Sequence, residues 1–200
     1  MRVCIIGSGL SALTLAKTLV NQNIQVDIIK NQKFNKPDLI RTVGISKSNV
    51  DFYNSEILSI EKLSWKINKI EIFTENLNNE KLINFGKKKD EMLFSIVKNY
   101  DLLNLLEKSL LKNKFFKFIN LRKNLNLTKN YNLIINTDYS DKITKKYFNK
   151  KIVKKYNSIA YVTILQHENL INDVATQIFT KNGPIAFLPI SRNKTSIVFS

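Results

Sequence analysis

The segment RVCIIGSGLSALTLAK, Arg2–Lys17, decides the fold. Residues 2–6 read as a strand whose last four residues, Val3 to Ile6, are apolar and include β-branched side chains, as in a strand buried on both faces. Gly-Ser-Gly follows directly, and residues 10–22 then read as a helix, with Leu13, Ala16 and Val20 on one stripe and Ala12, Leu15 and Leu19 beside it. IQVDIIK (24–30) is a second strand, which completes a βαβ unit of about thirty residues. In such a unit the first glycine allows a sharp turn. The second lets the backbone approach a pyrophosphate, and a small third residue lets helix and strand pack closely. Gly7, Gly9 and Ala12 stand at those positions, and Ser8 and Ser11 complete the expected cradle. The free N–H groups and positive dipole end of the helix would face the anion.

Two hundred residues suffice for one domain or two small interleaved ones. The net charge of +16 suggests a polyanionic partner at first sight. However, Lys (28), Asn (26) and Ile (26) fill 80 of the 200 positions, a bias shared by residues with A/T-rich codons. Only four of the basic residues are Arg, which argues against a base-reading surface, and no nucleic-acid partner is expected. An anionic membrane surface remains the alternative to general cationic drift. The single cysteine, Cys4, excludes an internal disulfide and sits in the first strand as a buried thiol. No stretch approaches 18 uninterrupted apolar residues, and no signal peptide is visible. The expected location is cytoplasmic, with peripheral contact at the inner face of the membrane as an option.

Further along, WKINKIEIF (65–73) alternates and leads through turn residues into EKLINF (80–85), a β-hairpin. NYDLLNLLEKSLLKN (99–113) is an amphipathic helix, and FFKFI (115–119) and NLIINTD (132–138) are short strands suited to extend the first sheet. SIAYVTILQHE (158–168), ATQIFT (175–180), PIAFLPI (184–190) and TSIVFS (195–200) read as consecutive antiparallel strands, a β-meander. The run KKYFNKKIVKK (145–155) reads as a solvated face with Tyr147, Phe148 and Val153 turned inward. The fold class is therefore α/β, a Rossmann-like dinucleotide-binding domain interleaved with a mainly antiparallel sheet domain. The expected division is 1–64 with 96–145 against 65–95 with 146–200, and the last strand reads as interrupted at residue 200.

Four segments together resemble the FAD-dependent aromatic monooxygenases of the para-hydroxybenzoate hydroxylase-like fold, most nearly the ubiquinone-biosynthesis hydroxylases of polyprenyl phenols. IIGSGLSALTLAKTL matches the amino-terminal FAD fingerprint. RTVGIS (41–46) resembles the Arg-x-x-Ala-Leu-Ser segment, which puts Arg41 at the flavin side. LIINTDYSDKITK (133–145) resembles the strand-plus-Asp-Gly motif and makes Asp138 a dinucleotide-side residue, although a turn or helix-capping role suits it equally. GPIAFLPIS (183–191) is similar to a strand of the quinone hydroxylases. The resemblance spans the whole chain but corresponds to the amino-terminal half of such an enzyme. It implies FAD as cofactor, NAD(P)H as reductant, and O2 with an aromatic or polyprenylated phenol or quinol as substrates.

Three positions depart from that pattern. Lys30 stands where an acidic residue normally accepts hydrogen bonds from the adenosine ribose. It is either a solvated strand-end lysine or a phosphate contact, with Asn31 as a neighbouring acceptor. Tyr139 replaces the glycine of the Asp-Gly motif, and Tyr100 replaces an arginine at the start of the middle helix; Lys145 keeps the charge of the distal arginine. His167 is the single histidine and has no ligand-spaced Cys or carboxylate, and Glu168 beside it faces the other way on a strand, so no metal site is expected. No side-chain nucleophile motif occurs. No catalytic residue is assigned, which suits chemistry carried by a cofactor.

Overall fold

The computed structural model describes residues 1–30, 39–75, 80–86, 92–119, 130–138, 142–147, 152 and 154–200. Its chain divides into two compact units, one of residues 1–37, 56–58 and 102–155 and one of residues 38–55, 59–101 and 156–200.

The first unit is built on four parallel strands in the order β8-β2-β1-β9. They are β1 (Arg2–Ile6), β2 (Gln25–Ile29), β8 (Phe116–Ile119) and β9 (Leu133–Asn136). The last four residues of β1 and of β2 are buried without alternation, the pattern of parallel strands covered on both faces. Helix α1 (Leu10–Asn21) buries Ala12, Leu13, Ala16 and Val20, the stripe expected from the sequence with Ala12 added. Helix α3 (Asn99–Leu111), which follows the short α2 (Lys47–Phe52) in the chain, buries Leu102, Leu106 and Leu110, at i, i+4 and i+8. Cys4, Ile6 and Ile29 form a core cluster with Ile119, Ile134 and Ile143, the last from the short helix α4 (Lys142–Tyr147). As anticipated, 115–119 and 132–138 supply strands that extend the first sheet on its two sides.

Asp27 is a charged residue inside this apolar strand and is 4% exposed. Arg2 donates to its Oδ2 from Nε (3.0 Å) and Nη2 (2.5 Å), and the Tyr131 hydroxyl donates to the same oxygen at 2.7 Å. A buried carboxylate is tolerable only with such partners. Burial, then the bond to Asp27, pushes the Tyr131 phenol well above its ordinary range.

The second unit holds a six-stranded sheet, β10-β13-β12-β11-β5-β6, and a three-stranded sheet, β3-β7-β4. The former comprises β5 (Lys69–Thr74), β6 (Lys81–Gly86), β10 (Tyr161–Gln166), β11 (Val174–Thr180), β12 (Gly183–Ser191) and β13 (Lys194–Phe199). The latter comprises β3 (Thr42–Ser46), β4 (Trp65–Ile67) and β7 (Phe94–Lys98). A core of Ile67, Ile96 and Ala175, flanked by Trp65, Ile70, Phe94 and Leu188, joins the two sheets.

Several expectations need correction here. The stretch 65–73 is two strands rather than one. Asn68 interrupts it, donating from N and Nδ2 to the carbonyl and carboxylate of Asp173, so that β4 pairs with β7 while only β5 forms the hairpin with β6. The meander is limited to β11–β12–β13, because β10 pairs with β13 and β11 pairs in parallel with β5. The domain division also shifts: residues 38–55, 59–64 and 96–101 cluster with the second unit, because β3 is hydrogen-bonded along its length to β7. Tyr147 is 61% exposed rather than turned inward, while Phe148 and Val153 lie outside the described residues.

The Arg2–Asp27–Tyr131 cluster yields a stability prediction. Tyr131→Phe removes one hydrogen bond to a buried carboxylate and should cost about 1–2 kcal/mol in urea unfolding at neutral pH. Because the folded-state phenol titrates above its unfolded value near pH 10, its contribution is complete below that pH and lost as pH rises further. The variant should therefore show a shallower alkaline loss of stability than wild type. An unchanged urea midpoint together with an unchanged alkaline slope would assign Asp27 to Arg2 alone.

Candidate functional site

At the carboxyl end of β1 the chain turns through Gly7, whose φ of +110° is a conformation L side chains rarely adopt. The Gly7 N–H donates to the Ile29 carbonyl at 3.1 Å, which ties the turn to the end of β2. On the other side Thr137 donates twice to the Ile6 carbonyl, from its N–H and from Oγ1, each at 2.9 Å. A Cβ built on Gly7 would collide with that Thr137 oxygen. Glycine is thus required at position 7 by both torsion and space.

Gly9 is different. Its backbone is extended (φ −78°, ψ −179°), it is the N-cap of α1, and a Cβ there would meet nothing within 4 Å. No side chain caps the helix start, and its first turn carries no acidic residue. The Gly9 carbonyl accepts the first helical bond from Leu13 N–H at 3.0 Å. The helix thus begins with its backbone donors beside open space, without a carboxylate to repel an anion. Ser8 is half-buried and Ser11 exposed at this opening, while Ala12 is fully buried between helix and strand, as a small third residue should be. A pyrophosphate-bearing dinucleotide fits this geometry.

Asp138 lies beside the turn, its backbone nitrogen 3.5 Å from the position of a Gly7 Cβ. Its N–H donates to Asn136 Oδ1 at 2.9 Å, and its carbonyl accepts from Thr144 Oγ1 at 3.0 Å. Asn136 Nδ2 in turn donates to Thr144 Oγ1 at 2.6 Å, so the loop after β9 is knotted to α4. Lys30, at the end of β2, donates from Nζ to Glu107 Oε1 at 2.6 Å and lies 3.9 Å from the centroid of the Phe118 ring. It is a paired lysine whose side chain stays 44% exposed. Its partner carboxylate comes from α3, where local sequence gave no warning of it.

The first unit therefore brings together Gly7, Ser8, Gly9, Ser11, Ala12 and Asp138, with Lys30 at the end of the neighbouring strand. Arg41 belongs to the second unit, where its carbonyl accepts from Asn99 N–H at 3.0 Å. Asn31, Tyr139 and the Lys145 side chain lie outside the described residues. Thr137, Asn136, Thr144 and Glu107 were missed, because their roles depend on the pairing of β9 with β1 and of α3 with Lys30. His167 is half-buried in the second unit; its Nε2 lies 3.0 Å from Thr195 Oγ1 and its Nδ1 2.8 Å from the Glu168 carbonyl. No group of ligand-type side chains suited to a metal occurs among the described residues. Burial pushes the Cys4 thiol up to about 11, which makes it inert at neutral pH.

No family model and no curated protein matches the chain significantly. Its fold does match solved structures. Klebsiella pneumoniae HpxO, complexed with FAD and uric acid, superposes with a TM-score of 0.73 at 12% identity, over 100% of this chain and 56% of that one. The 2,6-dihydroxypyridine-3-hydroxylase of Arthrobacter nicotinovorans gives 0.69 at 14% identity, over 98% and 55%. The p-nitrophenol 4-monooxygenase PnpA of Pseudomonas putida DLL-E4 gives 0.72 at 11%, over 98% and 56%. The chain thus spans little more than half the length of the structures it matches.

The two glycines make separable predictions. Gly7→Ala should lower stability by about 1–3 kcal/mol, because strain and the Thr137 collision act in the folded state. Gly9→Val should cost less, no more than about 1 kcal/mol for an apolar N-cap, while filling the space a phosphate would use. Equal destabilisation by both would show that the Gly9 opening is not the free space described. The likeness to these structures establishes that the chain has the fold of flavin-dependent aromatic hydroxylases.

Proposed function

We propose that the chain binds FAD at the glycine turn and forms part of a flavin-dependent hydroxylase of an aromatic ring. The observation that carries this reading is the open approach at Gly9 beside the uncapped start of α1. The backbone donors at the start of α1 would hold the pyrophosphate, Ser8 and Ser11 offer hydroxyl donors beside it, and Ala12 keeps helix and strand close enough to aim them. Bound FAD would take electrons from NADH or NADPH and activate O2 for insertion into an electron-rich ring. Structures of this fold with FAD bound, and with names that specify aromatic hydroxylation, support the reading. Arg41 is assigned to the flavin side and Asp138 to the dinucleotide side on the family resemblance. A phenol or quinol, including a polyprenylated one, is the proposed substrate; the segment GPIAFLPIS, which forms β12, motivates that choice. Among the described residues no helix is long and apolar enough to cross a membrane.

The Lys30–Glu107 pair favours one modification. Where a dinucleotide site usually offers a carboxylate to the ribose, this chain offers an ammonium that is already committed to an acid. Losing one or two ribose bonds weakens binding by roughly ten- to a hundredfold. A second reading follows, that of a dinucleotide-binding module without turnover.

Titration with FAD, followed by flavin fluorescence, should give a dissociation constant that is roughly micromolar or weaker. Gly9→Val should abolish the signal. Lys30→Glu alone sets a carboxylate against Glu107, so the informative variant is the reversed pair Lys30→Glu with Glu107→Lys. It preserves the ion pair, places the acceptor at the end of β2, and should bind FAD several-fold more tightly than wild type. Tight stoichiometric wild-type binding, or weaker binding by the reversed pair, would contradict the assignment of Lys30. Binding without flavin reduction by NADH or NADPH is the outcome expected of the non-catalytic reading.

A further inference from the structure

The amino ends of the parallel strands lie at the opposite end of the sheet from the glycine turn, and they carry a basic pocket that the flavin reading does not use. Its cavity of about 190 Å³ is lined by Arg2, Gln25, Asp27, Lys114, Phe115 and Lys117. Asp27 contributes the single carboxylate, and Arg2 and Tyr131 both bind it through Oδ2. Arg2 Nη1 makes no hydrogen bond among the described residues, and neither Lys114 nor Lys117 has a carboxylate partner there. Other lysines of this chain do find acids: Lys30 with Glu107, Lys47 with Asp51, and Lys69 and Lys81 with Glu71. Most of the remaining described lysines also lack an acid, so what sets Lys114 and Lys117 apart is that they line one hollow with Arg2.

Apolar side chains surround the same end. Met1 precedes β1 and is 69% exposed, Leu111 ends α3 at 61%, and Leu133 opens β9 at 44%. Asn132 holds that rim in place, accepting from Arg2 N–H through Oδ1 at 2.8 Å and donating its own N–H to the Arg2 carbonyl at 3.0 Å. A free phosphate has no use for exposed Met and Leu side chains. A bilayer interface uses both, anionic headgroups for the cations and the acyl boundary for the apolar groups. We propose that this end of the parallel sheet docks on an anionic phospholipid surface, with one headgroup phosphate in the pocket between Arg2, Lys114 and Lys117. The glycine turn, at the other end of the strands, would then stay open to solvent.

The test is co-sedimentation of the chain with vesicles of phosphatidylcholine containing 30 mol% phosphatidylglycerol, at roughly 0.1 M salt where charge interactions reach about 10 Å. Wild type should bind these and not pure phosphatidylcholine vesicles. Lys114→Glu with Lys117→Glu should weaken binding at least tenfold. Lys66→Glu with Lys181→Glu makes the same change in net charge at exposed positions of the second unit and should weaken it less than threefold. If the first double variant fails to fold, as judged by its urea transition, the neutral Lys114→Gln with Lys117→Gln pair replaces it. Equal losses in the two pairs would overturn the proposal in favour of diffuse cationic attraction. Absence of vesicle binding would overturn it as well, and if inorganic pyrophosphate alone then bound in a Lys114- and Lys117-dependent way, the pocket would be a free-anion site.

Discussion

Everything at the candidate site depends on how the end of β1 is held between its two neighbours. The Gly7 N–H bonds to the last carbonyl of β2, and Thr137 bonds twice to the last carbonyl of β1 from the β9 side. These contacts fix the chain at the moment it leaves the sheet, so the positive φ at Gly7 is imposed from both flanks rather than chosen locally. Helix α1 must then start at Gly9, and Ala12 must pack at the fully buried position against the strand. A sheet that lacked β9 would leave the Ile6 carbonyl without Thr137 and the turn with one anchor.

The other end of the same strands solves a different problem. Asp27 is a charge placed among apolar neighbours, and leaving it unpaired would cost several kcal/mol. Arg2 and Tyr131 satisfy it, from the first residue of β1 and from the approach to β9. The cluster links β1, β2 and the β9 approach where the strands begin, much as Gly7 and Thr137 link them where they end. Arg2 binds Asp27 through Nε and Nη2 and lines one cavity with Lys114 and Lys117. One half-buried ion pair thus bears on both the stability of the sheet and the chemistry of its basic rim.

Much of this was legible in the sequence where the signal was local. The strand, glycine turn and amphipathic helix of residues 2–21 were found as read, because burial on both faces and helical periodicity leave a direct imprint on residue type. The strands at 115–119 and 132–138 were recognised too, and so was the α/β class. What was not legible depended on distant pairing. Two polar residues in a row, Asn68 and Lys69, shift the alternation by one position, a local mark of the break, but the partner that captures Asn68 is Asp173, far along the chain. The position of β10 beside β13 likewise follows from a register that no local pattern encodes. At the site, the glycines pointed to the sharp turn that Gly7 makes at positive φ, whereas Thr137 and Glu107 emerged only once β9 and α3 were in place.

The central claim is that the turn from Gly7 to Ala12 is a pyrophosphate cradle, and its most direct test is a backbone-amide NMR titration with ADP. ADP carries the pyrophosphate without the flavin, so the result does not depend on turnover. The largest shifts should fall on the amides of Gly7, Ser8, Gly9, Leu10 and Ser11, with smaller ones at Thr137 and Asp138, and AMP should produce weaker changes at the same positions. Shifts that centre on Arg2, Lys114 and Lys117 instead, or none at millimolar ADP, would contradict it.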